Sequence, residues 1–321
     1  MKRILRTLGV ILVLGAGGAA YTFYQFYKNV EQTATAIYEP LPELPAAEQQ
    51  PDPPVQPAST EKKQSEEVPA QQKPISILLF GVDKRGADEG RSDTIIYLAS
   101  NPALKQTLMF SIPRDTRTQI YGSKKEDKIN HAYAFGGMAS TVHTVESFLD
   151  TPIDYYVKVD MEGFSKIIDS LGGVQVDNTF PFSYEGYRFE KGKIVLDGKK
   201  ALAYARMRHD DPEGDFGRNK RQQLIIQQLM AKAKQISTVS KLDEVLANIG
   251  ESVKTNLTFD NMQDLMFHYK SALDQVNVLR INGQGEMLNG IYYYQVSAEE
   301  RARIKQQIDA VLHGSAENQH S

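Results

Sequence analysis

No cysteine occurs among the 321 residues, and no tryptophan. The first absence removes thiol nucleophiles, thiolate metal sites and disulfide frameworks in one step. It leaves the compartment open. A surplus of one charge is missing too: 37 Lys and Arg face 40 Asp and Glu, a formal net charge of -3. Nucleic-acid binders usually carry a basic surplus, so the balance argues against that class. The six histidines show no ligand spacing, and His131 and His209, near charged loops, read as surface or structural residues. The chain has no G-x-x-x-x-G-K-[ST], no H-E-x-x-H and no G-x-S-x-G, which removes three common catalytic devices. "DDPEGD" is rich in acids but lacks calcium-loop spacing.

What is present begins with "MKRILR", which puts Lys2, Arg3 and Arg6 before an uncharged stretch from Thr7 to Tyr27. As a helix that stretch would span roughly 30 Å, one bilayer core. Tyr21, Tyr24 and Tyr27 lie at its far end, where an aromatic belt belongs. The pattern predicts a cytoplasmic tail at 1–6 and an uncleaved single-pass signal anchor at 7–27, with the rest of the chain outside the cell membrane (type II); a signal peptide cleaved near Gly18-Ala19-Ala20 is the competing reading. Residues 39 to 74 hold nine of the fourteen prolines. Such composition favours extended polyproline-like chain over a packed core. It predicts an extracellular linker over 28–74.

From Ile75 the pattern changes. "ISILLFGVD", "TIIYLAS" and "TLMFSIP" read as strands. "ASTVHTVESFLD", "MEGFSKIIDSLGG", "GKKALAYARMR" and "FGRNKRQQLIIQQLMAKAKQI" read as helices. Two more helices are predicted over 242–252 and 259–273. "SAEERARIKQQIDAVL" closes the domain, with Ser297 and Glu300 in a capping box. Alternating strands and helices predict a three-layer α/β/α domain with a central mixed sheet over 75–313, and a flexible tail at 314–321.

Acids and arginines gather at the strand ends and at one helix. Asp83 follows an apolar strand, and Arg91 and Asp93 precede the next. Strand ends are where α/β folds collect ligand loops. Two carboxylates there could share magnesium or simply decorate a hairpin loop. Arg114 and Asp115 follow the third strand in "SIPRDT". In "ARMRHDDPEGDFGRNKRQQLIIQQLM", Arg206 and Arg208 end one helix and Asp215, Arg218 and Gln222 open the next. Residues 215, 218, 222, 225 and 229 share a face, so Ile225 and Leu229 extend it into apolar surface, as substrate-binding candidates that would serve either a lipid pocket or the core. Arginine at a helix N-terminus opposes the dipole, a conflict that a bound anion relieves. Its fork also suits phosphate oxygens. Pairing with the neighbouring acids is the competing reading. Together the clusters suit a polyanionic head group with an apolar tail.

The motifs "LLFGVDKR", "GRSDTIIYLA", "MFSIPRDTR", "KINHAYAFGG", "LDGKKALAYARMR" and "GDFGRNKRQQ" resemble those of the LytR-CpsA-Psr family of bacterial cell-wall phosphotransferases. The resemblance covers about Ile75 to Leu312. It implies transfer of an anionic glycopolymer, such as wall teichoic acid, from an undecaprenyl-pyrophosphate carrier to peptidoglycan. The implied acceptor is the C6 hydroxyl of N-acetylmuramic acid, joined through a phosphodiester with magnesium as cofactor. By motif position Asp83 and Asp93 match the metal-linked acids. Arg91, Arg114, Arg206, Arg208 and Arg218 match pyrophosphate-binding arginines, and Asp215 and Gln222 match further polar site residues. Arg85 and Arg221 lie within the motifs as substrate-binding candidates. A polyprenyl-pyrophosphate hydrolase using the same site, and a membrane-bound regulator of cell-wall genes, are the alternatives.

Overall fold

Strands β1 (Ile75–Asp83), β2 (Arg91–Asn101) and β3 (Gln106–Ser111) arise where branched and aromatic residues run together. Short strands β4 (Arg117–Gln119) and β5 (Glu126–Lys128) follow, then β6 (Tyr155–Asp160). Next come β7 (Val174–Asn178), β8 (Phe182–Tyr184), β9 (Tyr187–Phe189) and β10 (Gly192–Leu196). The last are β11 (Val253–Thr255), β12 (Gln275–Leu279), β13 (Gln284–Leu288) and β14 (Ile291–Gln295). The main α-helices among the described residues are α1 (Ala132–Leu149), α2 (Met161–Ser170), α3 (Gly198–Arg206), α4 (Asp215–Gln235), α5 (Phe259–His268) and α6 (Ala298–Leu312).

The structure, a computed structural model, describes residues 28, 31–42, 73–83, 90–123, 125–235, 245 and 248–314. The expected membrane span at 7–27, Arg85 and most of the expected linker lie outside the described residues. Among the described residues no helix is long and apolar enough to cross a membrane. The start of the linker is not an open spacer: residues 31–37 are helical, and Ala34 and Ile37 are buried. Apolar side chains at 34 and 37 share one helical face, which the proline count downstream does not reveal.

The chain divides into two compact units, Glu39–Lys158 with Phe267–Ser321, and the residues up to Tyr38 with Val159–Met266. The first, the sheet unit, carries strands in the order β6-β1-β2-β3-β12. β1 with β2 and β2 with β3 are antiparallel, whereas β12 joins β3 in parallel, so the sheet is mixed. Phe80, Tyr97 and Phe110 bury against Val142 and Phe148 of α1 and Ile304 and Ile308 of α6. The fold is mixed α/β about this sheet, as its strand and helix patterns predict. Helix α1 begins earlier than its periodicity suggests. "AYAF" forms a first stretch, Gly136 and Gly137 break the helical geometry, and Gly137 takes φ 62°. Ser297 caps α6 by accepting from the Glu300 N–H. The Glu300 carboxylate turns instead to Asn282 and Arg303, so only half of the expected capping box forms.

The second, the helix unit, has its own core of Ile168, Val174, Phe182, Phe189, Tyr204 and Ile225. β7 and β10 form an antiparallel hairpin pair, as do β8 and β9. The Asn178 carboxamide ties them by donating to the carbonyls of Phe180 (2.6 Å) and Glu190 (2.8 Å). It also accepts from the Tyr204 hydroxyl at 3.3 Å.

Candidate functional site

In the sheet unit the acids sit at a fault in the strand pairing. Val82 pairs with Ser92 and Gly81 with Thr94, so Asp93 is the extra residue of a bulge. A bulge bends the strand and re-aims a side chain, which is why bulges gather beside active sites. Arg114 Nη1 donates to Asp93 Oδ2 at 3.1 Å, and Asn130 Nδ2 donates to Asp93 Oδ1 at 2.8 Å. Arg114 also lies 3.7 Å from Asp115, whose other oxygen accepts from Lys128 Nζ at 2.7 Å. The result is an alternating ladder, Asp93–Arg114–Asp115–Lys128, half shielded from water. Asp83 ends β1 directly opposite Arg91, the exposed first residue of β2.

Beside the ladder, Asp127 pairs with His131 Nδ1 at 2.9 Å. Burial pushes the Asp127 carboxyl up. Hydrogen bonds from His131 and the Lys128 N–H, with the attraction of His131, outweigh it and hold the group below its ordinary value.

In the helix unit the opening turn of α4 divides its arginines between two tasks. Arg218 is buried, and Asp215, first residue of the helix, meets it at 2.9 Å. Arg221 is buried more deeply and fully occupied. Its Nε donates to the Tyr204 carbonyl at 2.9 Å, and its other nitrogens meet Asp211 and the Met207 carbonyl. The guanidinium also lies 5.4 Å from the Phe182 ring centroid. Arg221 therefore holds the loop between α3 and α4 in place, a structural task where the motif suggested substrate. Gly217 follows from the same packing, because a Cβ there would meet the Asp211 carboxylate. Burial pushes the Tyr204 hydroxyl up to about 12, against the pull of the Arg221 charge.

Arg206, last residue of α3, reaches Glu185 at 3.2 Å, a partner twenty-one residues earlier in the chain. Arg208 donates to His209 Nε2 at 3.3 Å. Gln222 donates to the Ala205 carbonyl at 3.4 Å, tying α4 to the end of α3. Ile225 is fully buried in the unit's core, and Leu229 packs against that core. Of the two tasks open to Ile225 in the sequence, the core is the one it has.

Sequence reasoning missed Asn130, Lys128 and Glu185. For the first two a signal existed: "KINH" sets polar residues on either side of an apolar one just ahead of a helix. Glu185 carried none, because its turn meets Arg206 only through the hairpin of β8 and β9.

Among the described residues no group of three or more His, Cys, Asp or Glu could hold a metal. Asp83, at the end of β1, and Asp93, in the bulge two residues beyond the cross-strand partner Arg91, are both hard oxygen donors of the kind magnesium takes. Magnesium keeps several waters and commonly takes only one or two carboxylates alongside substrate phosphates.

The profile of the LytR_cpsA_psr family matches residues 28–310. The polyisoprenyl-teichoic acid–peptidoglycan teichoic acid transferase TagU of Bacillus subtilis (strain 168) is 45% identical over 310 residues, covering 96% of this chain and 94% of that protein. The crystal structure of B. subtilis TagU superposes with a TM-score of 0.61 at 46% identity, covering 75% of this chain and 97% of that one. A structure of TagT bound to LI-WTA superposes with a TM-score of 0.65 at 28% identity, covering 77% and 94%.

Proposed function

Because this chain belongs to the LytR_cpsA_psr family, we propose that it is a teichoic acid transferase, moving an anionic glycopolymer from a polyprenyl-pyrophosphate carrier to peptidoglycan. The observation that carries the reading is Arg218. It is a buried arginine in the first turn of α4, where the helix dipole disfavours a cation and favours an anion. The names of TagU and of the TagT complex support the donor.

In the proposed reaction the C6 hydroxyl of N-acetylmuramic acid attacks the polymer-linked phosphorus. The bond from that phosphorus to the bridging oxygen breaks, leaving a phosphodiester and the lipid monophosphate. A carboxylate, Asp93 or Asp215, accepts the hydroxyl proton. Arg91, Arg114, Arg206, Arg208 and Arg218 offset the charge of the phosphate oxygens, work that needs positioning and no covalent nucleophile. Magnesium, when bound by Asp83 and Asp93, neutralises further charge there. A signal anchor at 7–27 would keep the catalytic part outside the membrane, beside both substrates.

The test is turnover of a lipid-linked pyrophosphate glycan with a peptidoglycan acceptor. Arg218→Lys keeps the charge and loses the planar fork. It is expected to lower transfer about 30- to 150-fold, equivalent to about 2–3 kcal/mol, with unchanged thermal unfolding. Normal transfer in Arg218→Lys would show that this arginine serves only its pair with Asp215.

A further inference from the structure

Asp93 depends on a residue that none of its neighbours in sequence predicts. Asn130 is 3% exposed, and it reaches each segment around the carboxylate. Its side-chain amide donates to Asp93 Oδ1 at 2.8 Å. Its backbone N–H donates to the Arg114 carbonyl at 3.2 Å, and its own carbonyl accepts from Ser92 Oγ at 3.4 Å. One residue earlier, Ile129 is anchored in the core and its N–H donates to the Thr116 carbonyl at 2.8 Å.

The geometry points to Asn130 as the positioning residue of the Asp93 carboxylate, an inference that rests on the site reading above. Three features of the chemistry favour it. Asp93 lies in a bulge, where the ladder no longer fixes the backbone as it does in a regular strand. A carboxylate there needs a tether at each oxygen to hold one orientation; Arg114 takes Oδ2 and Asn130 takes Oδ1. Second, the tether is neutral. Arg114 already contributes one positive charge, and a second cation would quench the negative charge that a metal ligand or a base must keep. A carboxamide orients the oxygen and adds no charge.

Third, the orientation of the amide favours the clamp. Asn130 Oδ1 is buried with no hydrogen-bond partner among the described residues, and an unmatched buried acceptor is unfavourable. Turning the amide over would set that oxygen against the Asp93 carboxylate. The amide orientation seen is the one that presents a donor to Asp93.

A double-mutant cycle tests this, using wild type, Asn130→Ala, Asp93→Asn and the pair. Asn130→Ala is expected to lower kcat by about 10- to 100-fold, the scale of a misplaced catalytic group, with KM within about twofold of wild type. In the Asp93→Asn background the same change should cost almost nothing, because its effect passes through Asp93. Asn130→Leu keeps the approximate volume and removes the donor without adding charge; it should match Asn130→Ala, and it replaces that variant in the cycle if Asn130→Ala does not fold. Equal losses in both backgrounds, or wild-type kcat in Asn130→Leu, would overturn the proposal. A crystal structure of Asn130→Leu gives a readout independent of turnover. Asp93 should leave its position beside Arg114, and an unmoved Asp93 rejects the assignment. Wild-type protein without turnover would count against the transferase reading alone, and the crystal comparison would still decide the role of Asn130.

Discussion

At the scale of single residues, arginines of the same motif have opposite accounts. Arg218 and Arg221 are three apart on α4 and both buried. Arg221 spends its guanidinium on Asp211, Tyr204 and Met207. Removing it strands the Asp211 carboxylate, whose side chain is 3% exposed. Breaking a buried pair from one side costs about 3–5 kcal/mol. Arg221→Met should therefore lower the unfolding free energy in urea by that amount. Arg208→Ala, which loses only a contact to His209 at an exposed site, should change it by less than about 0.5 kcal/mol. Equal stabilities of the two variants would contradict the structural role of Arg221. Both arginines read alike in the sequence, because spacing does not say which carboxylate or carbonyl a guanidinium will meet.

At the scale of elements, α2 and α3 approach so closely that one position must be glycine. The Gly198 N–H donates to Asp169 Oδ1 at 2.7 Å, and its carbonyl accepts from Ser165 Oγ at 3.2 Å. A Cβ at 198 would meet the Ser165 carbonyl and lie 2.7 Å from Asp169 Oδ2. The helix backbone cannot give way as a flexible side chain could, so Gly198→Ala should destabilise by about 1–3 kcal/mol. It should also reduce transfer, since α3 carries Arg206 at its other end. A thermal melt of Gly198→Ala superposing on wild type would refute this account. Such close packing leaves only a weak sequence mark. "LDGKK" reads as a turn and a helix start, and the Asp197 cap bears that out; the partner helix is invisible there.

At the scale of the whole molecule, acidity should act through particular carboxylates. Hydrogen bonds from Arg303, against some burial, hold Glu300 below its ordinary value, and Asp127 is likewise depressed. A carboxyl whose folded pKa lies below its unfolded one stabilises above the unfolded value, and that stability is lost as pH falls through the folded value. Tm should be level above about pH 5 and fall below about pH 4. Glu300→Gln should start lower and fall less steeply. Calorimetry from pH 3 to 7 on both proteins checks this, and an identical acid limb in the variant would remove Glu300 from the explanation.

What the sequence determined by itself was local. Runs of branched and aromatic residues set β1, β2 and β3, and apolar periodicity set α3, α4 and α6. The charged motifs at 83–93, 114 and 206–222 were also legible, since residue type and order carry them. Tertiary structure alone decided what each of those charges meets. A single extra residue at Asp93 turned a strand end into a clamped carboxylate, and Asn130, brought in by the chain after β5, supplied the clamp. Folding buried both Arg218 and Arg221 but spent the second on carbonyls distant in sequence. Pairing across separate segments depends on register and closure of the core. Those are properties of the packed chain, and no local pattern encodes them.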